Sequence, residues 1–125
     1  MGKPVSSNVK RAETSALNTK INKEVFNNFK DCCAYRGYAM NVLLETFMNQ
    51  YVNGKFEIRH DDIIKWKKDD AEKDTLNTTF SKEIYTNFKS CCKEDGYFVK
   101  HVITAFMEEY SSGNLIMEFV RLEDK

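Results

Sequence analysis

The stretch Leu17-Asn18-Thr19-Lys20-Ile21-Asn22-Lys23-Glu24-Val25-Phe26-Asn27-Asn28-Phe29-Lys30-Asp31-Cys32-Cys33, continued to Tyr51, decides how this chain is read, because it occurs twice. The second copy covers residues 76–110 at a constant offset of 59 with no gap, and 15 of the 35 aligned positions are identical. Leu17-Asn18-Thr19 returns as Leu76-Asn77-Thr78, Asn28-Phe29-Lys30 as Asn87-Phe88-Lys89, Cys32-Cys33 as Cys91-Cys92, Gly37-Tyr38 as Gly96-Tyr97 and Phe47-Met48 as Phe106-Met107. An ungapped match of this length is an internal duplication, and it sets the architecture before any single motif does.

Each copy reads as a strand followed by two helices. Leu17, Thr19 and Ile21 alternate with Asn18 and Lys20, and Leu76, Thr78 and Phe80 alternate with Asn77 and Thr79. That period of two gives a strand with one apolar and one polar face. Asn22 and Ser81 stand where an N-cap belongs. The series Val25, Phe29, Cys32, Cys33 and its counterpart Ile84, Phe88, Cys91, Cys92 then predict the inner face of a first helix. Gly37 and Gly96 end it, and Met40, Leu43, Leu44, Phe47, Met48 and Tyr51 line a second helix that stops near Asn53-Gly54, as its twin stops near Ser112-Gly113. One such unit buries too little apolar surface to fold alone, and its strand lacks a partner. The two copies therefore complete each other, with their strands paired antiparallel and four helices behind.

Strand, helix, glycine turn and helix at these spacings resemble the ribbon-helix-helix DNA-binding family of the Arc and MetJ repressors. Thr19-Lys20-Ile21-Asn22-Lys23-Glu24-Val25 fits that family's strand end and first-helix start, and Gly37, Leu43 and Leu44 fit its turn and second helix. The resemblance covers about two thirds of the chain. It implies a mainly α fold with a short two-stranded antiparallel ribbon, here a tandem pseudo-dimer in one polypeptide rather than the usual homodimer. It also implies a partner, double-stranded DNA, and a role in transcriptional repression or in plasmid partition or copy control. In that family the outward strand positions read bases. The role passes to Asn18, Lys20, Asn77 and Thr79, with Ala16 and Thr75 on the same face; a plain solvated strand face is the alternative. The start of the second helix holds phosphate, which places Tyr38, Ala39 and Asn41 in one copy and Tyr97, Phe98 and Lys100 in the other. Ala39 and Phe98 depart from the small hydroxyl residue usual at that cap, and Phe98 reads equally well as a core or interface residue.

The remaining segments divide the chain into a basic N-terminal arm at 1–13, a first unit at 14–54, a linker at 55–73, a second unit at 74–113 and a tail at 114–125. In the arm, Lys3, Lys10 and Arg11 are candidates for DNA phosphate. In the linker, Phe56 and Ile58 suggest a brief extended piece, and Asp61-Asp62 would cap a short helix carrying Ile63, Ile64, Trp66 and Lys67. That helix either covers part of the core or offers a surface to another protein. The tail, from Leu115 to Val120, is apolar enough to pack internally or on a second chain, so self-association through linker helix or tail is a further expectation.

Composition bounds the rest. The chain has 125 residues with 19 basic and 19 acidic side chains, so its net charge is zero, which argues against unselective nucleic-acid binding. No apolar run approaches a membrane span and no signal peptide is visible, so a cytoplasmic protein is expected. The two adjacent cysteine pairs lack Cys-x-x-Cys spacing and read as core residues, with a metal site or a redox switch as alternatives. There is no glycine-rich phosphate loop, no nucleophile with a matched histidine and no carboxylate pair tied to a pocket. The reading is a non-enzyme without cofactor. A protein-interaction module that keeps the fold without binding DNA is the rival.

Overall fold

The alternating segments become two nine-residue strands, β1 (Thr14–Asn22) and β2 (Lys73–Ser81), each longer than the five residues its apolar pattern marks. They pair antiparallel from Thr14 opposite Ser81 to Asn22 opposite Lys73. The computed structural model describes residues 13–113 and is mainly helical around this one sheet. After β1 come α1 (Lys23–Arg36), α2 (Met40–Val52) and α3 (His60–Lys67); after β2 come α4 (Lys82–Glu94) and α5 (Val99–Ser111). Asn18 faces Asn77 at the middle of the ladder, and these two are also repeat equivalents. A quasi-twofold axis therefore passes between them. The backbone obeys it at both ends of the ribbon, where Lys23 N–H donates to Glu72 O (2.9 Å) and Lys82 N–H donates to Glu13 O (3.2 Å).

The core sits behind the ribbon and is symmetric about the same axis. Phe47 and its equivalent Phe106 stack with ring centroids 4.0 Å apart. Phe29 meets Phe106 edge-on at 5.8 Å, and Phe88 meets Phe47 at 5.9 Å. The packing is crossed: α1 lies chiefly on α5, and α4 chiefly on α2. Each unit's first helix thus covers the other unit's second helix, so neither half closes a core by itself. Leu17, Ile21, Leu76 and Phe80 enter this core from the strands.

Local chemistry explains most boundaries. Asn22 caps α1, its side-chain Oδ1 accepting from Val25 N–H at 3.0 Å. Ser81 holds the matching place before α4, but its side chain makes no cap bond; its N–H instead donates to the Glu45 carboxylate at 2.5 Å. Gly37 and Gly96 adopt φ of 78° and 82°, where L side chains are strained. There the amides of Tyr38 and Tyr97 each reach back to the carbonyls of Cys33 and Cys92 at 2.9 Å. The inner face of the first helix is wider than the predicted stripe: Phe26 and Tyr85 are buried, while Cys32, Ile84 and Cys91 are half-buried.

The linker differs from its reading in one respect. Residues 55–59 belong to no helix or strand, and Phe56 and Ile58 pack half-buried against the core while Glu57 and Arg59 are exposed, in keeping with the alternation. The helix α3 begins at His60 with Arg59 at the N-cap, so Asp61 and Asp62 lie in its first turn rather than capping it. There they favour the positive end of the helix dipole. Ile63 and Trp66 are buried against α5, which occupies the apolar stripe and removes it as a docking surface for a second chain. Lys3, Lys10, Arg11 and the apolar tail lie outside the described residues. Among the described residues no helix is long and apolar enough to cross a membrane.

Candidate functional site

Strand alternation sends Thr14, Ala16, Asn18 and Lys20 of β1, and Thr75, Asn77 and Thr79 of β2, to the face away from the helices, where all are exposed. The register sets Ala16 beside Thr79, Asn18 beside Asn77 and Lys20 beside Thr75. All six candidate base readers therefore stand on one open surface, brought together from positions about 60 residues apart. Among the described residues, the side chains of Asn18, Lys20, Asn77 and Thr79 are bonded to no other group of the protein. Their amides, hydroxyl and ammonium are available to an external partner. The two ends of this surface differ, because Lys20 has Thr79 as its repeat equivalent and Ala16 has Thr75.

The phosphate candidates fall at the starts of α2 and α5. Ala39 and Phe98 are the N-caps, both with extended backbone and neither with a side-chain cap bond. The first amides of each helix lack intrahelical acceptors and the helix dipole adds positive potential there, but in α5 the His101 N–H already donates to Phe98 O at 3.1 Å. Asn41 and Lys100 are exposed beside them. Tyr38 is partly exposed and Tyr97 half-buried, its ring 6.2 Å from that of His60. Phe98, left open between core and surface by its sequence, is 65% exposed, with its ring 5.6 Å from His101.

Burial suppresses two of the four thiols. Burial pushes the thiol of Cys33 up to about 11 and that of Cys92 up to about 12, so neither supplies thiolate at neutral pH. All four cysteines are free, and among the described residues no group of three or more His, Cys, Asp or Glu is arranged to hold a metal. Tyr51 Oη donates to the Asp95 carboxylate at 2.5 Å, whereas the equivalent Tyr110 Oη accepts from Arg36 at 3.2 Å. Burial and the bond to Asp95 hold the Tyr51 phenol well above its usual range.

One feature had no counterpart in the sequence reading. Beside the Lys20 end of the ribbon, α3 and the start of α5 enclose a hollow of about 110 Å³. Its walls include Lys20, Lys67, Lys73, Lys100, His101 and Trp66. His101 stands where the first copy has Val42, and that exchange of an apolar residue for an imidazole was the available signal. Burial first, then the charges of Lys100 and Lys67, hold its imidazole below the ordinary value of 6.5.

Against known proteins, no family model, no curated protein and no solved structure matches this chain.

Proposed function

We propose that this protein is a sequence-specific binder of double-stranded DNA, built as a single-chain ribbon-helix-helix pseudo-dimer. The observation that carries the reading is the open polar face of the β1–β2 ribbon. Among the described residues it offers amides, hydroxyls and one ammonium, no bulky apolar residue, and no cover from a helix. The major groove is about 12 Å wide and admits a two-stranded ribbon. Asn18 and Asn77 lie at the quasi-twofold axis and are suited to paired hydrogen bonds with adenine; Lys20 donates to guanine; Thr79, Thr75 and Ala16 contact neighbouring edges. The starts of α2 and α5 take flanking phosphates through backbone amides. Because Lys20 is opposed across the axis by Thr79, the preferred site is an imperfect palindrome. The resemblance to Arc and MetJ supports a regulatory role, as a repressor or a plasmid partition or copy-control protein.

A protein-interaction module on the same fold is the second reading. It draws on the exposed Tyr35 (91%), Val42 (54%) and Phe98 (65%) and on the zero net charge. Selection of duplexes from a random pool separates the two. A DNA binder enriches a defined site and loses affinity steeply as salt rises, because bound counterions are released. Asn18→Ala and Lys20→Ala should each weaken the selected site by about 1–3 kcal/mol and leave thermal stability unchanged. Undiminished site preference in both variants would refute the ribbon assignment.

A further inference from the structure

We propose that the hollow between α3, the start of α5 and the Lys20 end of the ribbon is a binding site for a single phosphate-type oxyanion, present on one side of the molecule only. The inference deepens the DNA-binding reading by giving the clamp a side, but the site itself stands on its own geometry.

Four lysines, Lys20, Lys67, Lys73 and Lys100, line a space of about 110 Å³, enough for one tetrahedral anion and little more. The single wall carboxylate, Asp69, is already engaged: it pairs with Lys73 at 3.2 Å and accepts from Asn22 at 3.1 Å. Among the described residues, Lys20, Lys67 and Lys100 have no ion-pair partner. Three lysines therefore border the hollow without an ion-pair partner, which raises the local potential for an anion. Trp66, only 8% exposed, closes the apolar side of the wall with an indole Nε1–H that has no hydrogen-bond partner, and it also borders a second hollow lined by Glu24, Lys65 and Glu108.

Among the described residues the site has no twin across the quasi-twofold axis. The equivalents of Lys20, Lys73, Lys100 and His101 are Thr79, Thr14, Asn41 and Val42. At the other end, Glu45 replaces Thr104, and its carboxylate accepts from Ser81 N–H. Among the described residues one flank is thus cationic and the other neutral to acidic.

Trp66 is the only tryptophan of the chain, so tryptophan fluorescence reports on this wall and its immediate surroundings. Inorganic phosphate is titrated into the full-length protein, with chloride at matched ionic strength as reference. The expected result is a saturable fluorescence change with phosphate that chloride does not reproduce, weakened at least tenfold in Lys67→Met and in Lys100→Met. Lys55→Met, an exposed lysine elsewhere, should leave it unchanged. A change that chloride reproduces, or that both pocket variants retain, overturns the site. Circular dichroism of each variant checks the fold. The selected duplex then identifies the source of the anion. If Lys67→Met lowers the salt slope of duplex binding by about 1, the ligand is a backbone phosphate. An unchanged slope with phosphate binding lost assigns the site to free phosphate. A protein that binds phosphate but no duplex keeps the site and loses the DNA reading.

Discussion

Helices α2 and α5 occupy equivalent places across the quasi-twofold axis, stack through Phe47 and Phe106, and are covered by equivalent first helices, yet their outer faces differ. The outer face of α2 carries Asn41, Val42 and Glu45, with Val42 54% exposed. On α5 the same positions are Lys100, His101 and Thr104; His101, Thr104 and Ala105 are buried where Val42 is exposed and Glu45 and Thr46 half-buried, and α3 packs on α5. Within these two helices the identical pairs, Phe47 and Phe106, Met48 and Met107, Tyr51 and Tyr110, all close the shared core, whereas the outward positions have diverged in charge and polarity. The inward positions are constrained by volume, since close-packed interiors tolerate little change. The outward positions are free of that constraint, and so they carry whatever distinguishes the two flanks.

The largest test attacks what the two halves share. Phe47→Ala and Phe106→Ala should each cost about 3–5 kcal/mol by urea denaturation, because each empties a fully buried site on the axis. Nearly equal values are expected from equivalent surroundings, with one cooperative transition in both. Two separate transitions would show halves that fold independently, contrary to the crossed packing. The next test acts on what they do not share. Thr79→Lys gives the ribbon a lysine at both ends, and duplex selection should then return a site closer to a true palindrome, with specific affinity changed by about 1–3 kcal/mol. An unaltered site would show that the ribbon's asymmetry is not read.

Smaller effects sharpen the equivalence. Gly37→Ala and Gly96→Ala should cost about 1–2 kcal/mol each, measured by thermal unfolding. A Cβ at either position meets no atom within 4 Å, so the strain of positive φ acts alone. The smallest effect concerns the imidazole that only one half possesses. Since burial holds His101 below its unfolded value of 6.5, the neutral form is favoured in the fold. Its contribution is complete above pH 6.5 and is lost as pH falls through the depressed folded value. His101→Val, which installs the residue of the other copy, should flatten the decline of the urea midpoint across that window. Equal declines would place His101 in an environment no drier than an exposed site.

Much of this architecture was legible in the residues. The constant offset of 59, the period of two in residues 17–21 and 76–80, the Asn22 cap and the two turn glycines located both strands and four helices. These are local signals, written in spacing and in the backbone preferences of single residues. The candidate face followed as well, because alternation alone separates Asn18 and Lys20 from Leu17 and Ile21. The start of α3 was less legible, since Asp61 and Asp62 suit both a cap and a first turn, and Ser81 resembles a cap whose hydroxyl goes unused.

Taken alone, the sequence determined that two half-sized units share one chain and that each strand has a polar side, because duplication and periodicity are properties of the linear order. Only the tertiary structure decided that α1 lies on α5 and α4 on α2, that α3 crosses to α5 rather than staying on the helix it follows, and that lysines from four separate segments meet around Trp66. Those choices depend on which apolar surfaces remain uncovered once the strands have paired, a question of shape and volume in three dimensions that spacing along the chain does not encode.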